Sequence, residues 1–239
     1  MKGYDLVINY IIQENMKNFW CLVTNGKYSI GCTGQSTYVY DNTGNELAVF
    51  KKDIIYAYLA VISPKGDIFV VKSTDGRFAI YSLEHLNLIK KFRYSSVDYS
   101  QDDNFCFSKD GSMLFNIERY IDDLHTRIAV YDTSDFSVIR YIEYDHLWHI
   151  EYDENENIYF LLGQQFIAKF DGENIFDLVQ ITENEFNYYV AYKRVEMNGF
   201  TDKAKRWSAF SYNDDMNLIE NNKKPLSKLW KYRKEHFVR

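Results

Sequence analysis

Proline and glycine are scarce in this chain, two and eleven among 239 residues, so little interrupts its apolar runs. With 46% hydrophobic and 18% aromatic residues, 21 of them Tyr and 17 Phe, the composition excludes a disordered chain and predicts a packed, β-rich globular protein. Cysteine is scarce too. Cys21, Cys32 and Cys106 are an odd set without a CxxC pair, which argues against a disulfide framework or a zinc ribbon and fits a reducing compartment. No apolar run approaches the roughly 18 residues of a membrane span. The N-terminal run is broken by Asp5, Asn9 and Gln13 and is too polar for a signal peptide, so a cytoplasmic location is expected. Glycine-rich phosphate loops, GxSxG, HExxH and EF-hand loops are all missing. The sequence therefore names no catalytic residue, no metal ligand and no cofactor.

Charge is unevenly placed. Residues 223–239 carry seven Lys/Arg and one Glu, or +6, which against a net −6 leaves −12 for residues 1–222. An acidic body lacks the broad positive surface that phosphate-backbone binding needs, so no nucleic-acid partner is expected. The length suits one all-β domain or two small ones.

Aligning the turn glycines reveals a repeat. VTNGKYSI around Gly26, ISPKGDIF around Gly66, FSKDGSMLF around Gly111 and YDENENIYF, with Glu156 in the glycine slot, are spaced 40, 45 and 45 residues apart. A second register follows an aromatic-Asp position: YVYDNTG at Tyr40, FAIYSLE at Tyr81, IAVYDTS at Tyr131 and IAKFDGE at Phe170, spaced 41, 50 and 39. Each repeat holds four short runs, for example Tyr58–Ser63, Asp67–Lys72, Phe78–Leu83 and Leu88–Phe92, with Gly, Asn, Asp and Ser between them. No repeat contains a sustained 3.6-residue stripe, which excludes a helical array. Four strands recurring every 40–45 residues is the signature of a β-propeller blade.

Over residues 18–182 the chain resembles the WD40-type propellers, in which a Trp-Asp pair ends the third strand of each blade. Tyr40-Asp41, Tyr131-Asp132 and Phe170-Asp171 match that place with another aromatic, and Tyr81-Ser82 keeps the aromatic alone. The family's Gly-His pair is absent, so the likeness does not extend to a buried Asp-His-Ser/Thr network. FNYYVAYKRVEMNG and RWSAFSYNDDMNLI, which puts Phe210 forty residues after Phe170, read as a weaker fifth unit. A propeller avoids open sheet edges by closing its ring. The expected architecture is therefore an all-β propeller of five blades over residues 1–222, completed by the N-terminal run Tyr4–Ile12. An open arc closed by dimerisation is the alternative to this monomer.

Residues 223–239 form a separate basic segment. Pro225 is placed to open a helix, with Leu226, Leu229, Trp230 and Phe237 close to one stripe. This predicts a short helix docked on the body; the alternative is an amphipathic segment for an anionic partner or membrane surface. Cys21 and Cys106 share a first-strand slot, filled by Val61 in the second repeat, and read as small core side chains. His146 and His149 lie among acids but three apart, so on a strand they point to opposite faces and make a poor metal pair.

Function is expected in the loops around the third repeat: 93–104, 118–127 and 143–149. In the resembling family these loops lie on the usual docking face. They combine acids (Asp98, Asp102, Asp103, Asp122, Asp123, Glu143, Asp145) with Tyr94, Tyr99, Tyr120, His125 and Trp148. Aromatic anchors in a negative field predict a non-enzymatic module that captures a basic protein partner, an inhibitor or immunity-type role being one instance. The alternative is a small-molecule or sugar-binding protein, or a hydrolase or lyase, using acids at the mouth of a central channel, with Asp53, Asp98, Asp102 and Glu143 as candidates.

Overall fold

The turn chemistry of the sequence becomes sixteen strands in a computed structural model that describes residues 19–93, 105–120, 125–153, 157–187, 189 and 225–237. They run as β1 (Cys21–Thr24), β2 (Tyr28–Cys32), β3 (Ser36–Asp41), β4 (Glu46–Lys51), β5 (Ala57–Ile62), β6 (Ile68–Ser73), β7 (Arg77–Ser82) and β8 (Asn87–Arg93). Then come β9 (Phe105–Phe107), β10 (Met113–Arg119), β11 (Thr126–Asp132), β12 (Val138–Glu143), β13 (Leu147–Tyr152), β14 (Ile158–Leu162), β15 (Phe166–Phe170), β16 (Ile175–Gln180) and the helix α1 (Pro225–Phe237). The strands form four antiparallel sheets, each a sequential meander of four, as in propeller blades. β1–β8 belong to one compact unit; β9–β16 and α1 belong to another.

Both sequence registers mark turns that close within a few residues. Gly26, Gly66 and Gly111 adopt φ of 85°, 70° and 69°, a left-handed conformation that a Cβ disfavours. In the aromatic-Asp pairs the ring is buried in the sheet, at Tyr40, Tyr131 and Phe170, while the acid caps the next turn. Asp41 accepts from the amides of Thr43 and Asn45, Asp132 from Ser134, and Asp171 from Glu173 and Asn174. Where serine replaces the acid, Ser82 Oγ accepts from the amide of His85 instead.

These caps imply an acid sensitivity. Hydrogen bonds from Thr43 and Asn45 hold Asp41 well below the usual carboxylate range. Those from Ser112 and Ser108 lower Asp110 to about 2, and Ser134 and the amides of Asn174 and Glu173 lower Asp132 and Asp171. A carboxyl depressed in the folded state contributes stability above its unfolded pKa of about 3.9 and loses it as pH falls through the folded value. Melting temperature should therefore fall between about pH 4 and pH 2. Circular dichroism should show a shallower fall for Asp110→Asn in that window.

The fold differs from the expected five blades: the described residues form four. β14 is buried on both faces. Ile158, Phe160 and Leu162 turn toward Phe115, Ile117 and Val130 of the preceding blade, in a core that includes Cys106. Tyr159 and Leu161 turn the other way, with Ile167 and Val179, and Leu226 and Leu229 of α1 cover them. A helical turn over 183–187 joins that cover through Phe186, where a strand of the fifth blade was expected. Its start is a capping box: Thr182 Oγ1 accepts from the Glu185 amide at 3.3 Å, and the Glu185 carboxylate accepts from the Thr182 amide at 2.7 Å. The face a further blade would need is thus occupied. The remainder of the proposed fifth unit and Tyr4–Ile12 lie outside the described residues.

The basic segment docks as the apolar stripe predicts. Trp230 donates its indole N–H to the Asp177 carbonyl at 2.8 Å, with the Lys169 ammonium 3.8 Å from its ring centroid. Arg233 forks onto Glu185 and Lys234 pairs with Asp177. Lys231 remains exposed.

Candidate interaction site

Sequence placed a ten-residue loop at 118–127, but the ladder runs further than the composition suggests. β10 continues through Arg119 and β11 starts at Thr126, so Glu118 and Arg127 are directly opposed partners on the two strands. Glu118 is fully buried and Arg127 nearly so, with side-chain exposures of 0% and 13%. Arg127 donates Nε–H to Glu118 Oε2 at 2.9 Å, and its Nη2 lies 2.9 Å from the same oxygen. The Tyr131 hydroxyl donates to Glu118 Oε1 at 3.1 Å. Burial works against the Arg127 charge, yet the Glu118 hydrogen bond and charge, followed by Tyr120 and Tyr141, hold its pKa above the ordinary value.

Two of the expected site residues attach to this pair. Arg127 Nη1 donates to the Tyr120 hydroxyl at 3.2 Å, and that hydroxyl lies 3.4 Å from both carboxylate oxygens of Glu143. The guanidinium carbon sits 3.7 Å from the ring centroid of Tyr141, which is itself 42% exposed. The arrangement is an aromatic shelf set on a buried ion pair, with the Glu143 carboxylate exposed at its rim.

The neighbouring turn is fixed from two sides. The loop expected at 143–149 shrinks to the three residues between β12 and β13, since Leu147, Trp148 and His149 are strand residues. The Tyr144 amide donates to the Thr126 carbonyl at 3.1 Å, the Leu147 amide to Thr126 Oγ1 at 2.9 Å, and the Gly163 amide to the His146 carbonyl at 2.6 Å. Asp145 is held exposed at the crest, next to His146 at φ 62°. His125 is exposed as well, its carbonyl accepting from the Tyr120 amide at 3.0 Å.

Trp148 has a different place: half-buried, it stacks on Phe186 at 4.7 Å, under the helical cover. His149 is buried edge-on to Tyr189. Among the described residues no three His, Cys, Asp or Glu side chains cluster for a metal, and no helix is long and apolar enough to cross a membrane. Asp53 is half-buried, and it adds to the burial that pushes the Tyr81 phenol up. Tyr94, Asp98, Tyr99, Asp102, Asp103, Asp122 and Asp123 lie outside the described residues. Sequence reasoning missed Glu118, Arg127 and Tyr141. The signal was the alternation Asn116, Glu118, Tyr120 and His125, Arg127, Ala129, which continues the strands into what composition marked as loop.

A pocket of about 670 Å³ opens elsewhere in this unit, between the β14–β15 turn and the helical cover, and is lined by Gln164, Gln165, Gln180, Thr182, Phe186 and Arg233 among others.

No family model and no curated protein matches the sequence. Solved structures do match: a hydrazine synthase chain of Kuenenia stuttgartiensis aligns with 67% of this chain at 13% identity and a TM-score of 0.50. This chain spans about half, 52%, of that one. At such identity the likeness is one of fold, and it agrees with the propeller-like arrangement of four-stranded sheets.

Proposed function

We propose that this protein is a non-enzymatic propeller-type binding module whose acidic and aromatic surface around the third blade captures a basic protein. The observation that carries the reading is the fixing of Tyr120, Tyr141 and Glu143 by the buried Glu118–Arg127 pair. An anchor ordered before binding loses little side-chain entropy on association. Among the described residues, Glu118 neutralises Arg127, and Arg119 is turned to the Leu147 carbonyl at 3.4 Å. Glu143 and Asp145 on the rim are left to set the local field, and the further acids that the sequence offers for this surface are Asp98, Asp102, Asp103, Asp122 and Asp123. Such a field steers a cationic partner.

Changing Glu143→Lys with Asp145→Lys, or Asp122→Lys with Asp123→Lys, should abolish capture of a basic protein in a pull-down from the native cell and leave the melting temperature within about a degree. Unchanged capture by both double variants would overturn the placement.

The glutamine-lined pocket favours a second reading, a site for a small polyhydroxylated ligand, since paired amide donors and acceptors beside an aromatic ring suit hydroxyl groups. Binding of that kind would survive the charge reversals.

A further inference from the structure

Two of the three cysteines in the chain fall on one rung of one ladder. Cys21 in β1 and Cys32 in β2 are direct partners in the antiparallel register. The equivalent rungs of the next two blades pair Val61 with Val70 and Cys106 with Phe115, so only the first blade doubles the thiol. We propose that Cys21 and Cys32 are a modification site, a cross-strand disulfide that closes when a small-molecule disulfide oxidant of the glutathione type reaches the edge of this sheet.

The register sets the two thiols opposite one another. Closing the bond draws their Cβ atoms from the roughly 4.5–5.5 Å of opposed residues to the roughly 3.5–4.5 Å of a disulfide, a small inward shift of the edge strand β1. Directly opposed residues in an antiparallel pair have Cα atoms about 4.5–5.5 Å apart with side chains on the same face, inside the roughly 4.4–6.8 Å range of disulfides. Both residues are thiols here, at 2% and 0% exposure. Burial, followed by the neighbouring Cys21, pushes the Cys32 thiol well up. A closed sheet is therefore a poor nucleophile. β1, however, is a four-residue strand at the edge of its sheet and only half-buried beyond Cys21. Fraying of such an edge is the route by which the thiols meet an oxidant.

The exchange balances in two steps. One thiolate attacks glutathione disulfide, forming a mixed disulfide and expelling one glutathione thiolate; the second cysteine thiolate then attacks the protein sulfur of that mixed disulfide and expels the other. The protein loses two hydrogens and two electrons, and one glutathione disulfide becomes two glutathiones. The product ties the edge strand to its neighbour and constrains the unfolded chain.

The test is incubation of the full chain with millimolar glutathione disulfide, in buffer and again in sub-denaturing urea, followed by trypsin digestion without reductant. Cleavage after Lys27 separates Cys21 from Cys32, so the bond joins two peptides that otherwise part. The expected result is that linked pair, with Cys106 outside it, and a melting temperature raised by about 5 °C in the wild type but not in Cys21→Ser or Cys32→Ser. Failure to form the 21–32 link in either condition, linkage between chains instead, or a link that leaves the melting temperature unmoved would overturn the proposal.

Discussion

Replacing Leu226 and Leu229 together by alanine should cost the β9–β16 unit about 4–8 kcal/mol, from roughly 2–5 kcal/mol for each buried leucine truncated, reduced where the two share one cavity. Both side chains are fully buried against Tyr159, Leu161, Ile167 and Val179. Those sheet residues have no polar alternative to the helix, so loosening it exposes a continuous apolar face. Against a total stability of about 5–15 kcal/mol, the loss is enough to unfold much of the unit at 37 °C. Urea titration should show an early transition reported by Trp148 and Trp230 fluorescence, since both pack at this seam. The exposed Lys231→Ala is the control and should shift the midpoint little. A double variant that melts with the wild type would mean that α1 rests on the sheet without stabilising it.

Arg127→Ala carries the second large effect, about 3–5 kcal/mol, because it removes the guanidinium from a carboxylate that has no access to water. Arg127→Lys should recover only part of this: a single ammonium cannot reproduce the fork to Glu118 or lie flat on Tyr141. The loss is measured by denaturant midpoint at constant slope. A cost below about 1 kcal/mol would place the pair among solvated surface bridges. The same variant releases Tyr120 and Tyr141, so partner capture should weaken even at temperatures where the fold persists. That couples the stability of the third blade to the surface it presents.

Much of the architecture was legible because its signals are local. The turn glycines and the aromatic-Asp pairs act within about five residues of themselves, as Asp41 with Thr43 and Asn45 shows. Strand limits in the second repeat came within a residue or so for the same reason. The apolar stripe of residues 226–230 announced a docked helix, since an amphipathic face must be covered by something.

The sequence by itself determined four-stranded repeats, their turns and the acidic, aromatic character of the third. Only the tertiary structure decided what each strand faces. IYFLL at 158–162 is apolar throughout, which says that both faces are buried but not whether the second cover is a fifth blade or a helix; α1 and the turn at 183–187 take it. Glu118 and Arg127 read as loop charges until the ladder register opposed them, and Cys21 read as a small core side chain until the register set Cys32 on its rung. Covers and registers are set by contacts between residues far apart in the chain, whose energies depend on geometry that composition and spacing do not carry.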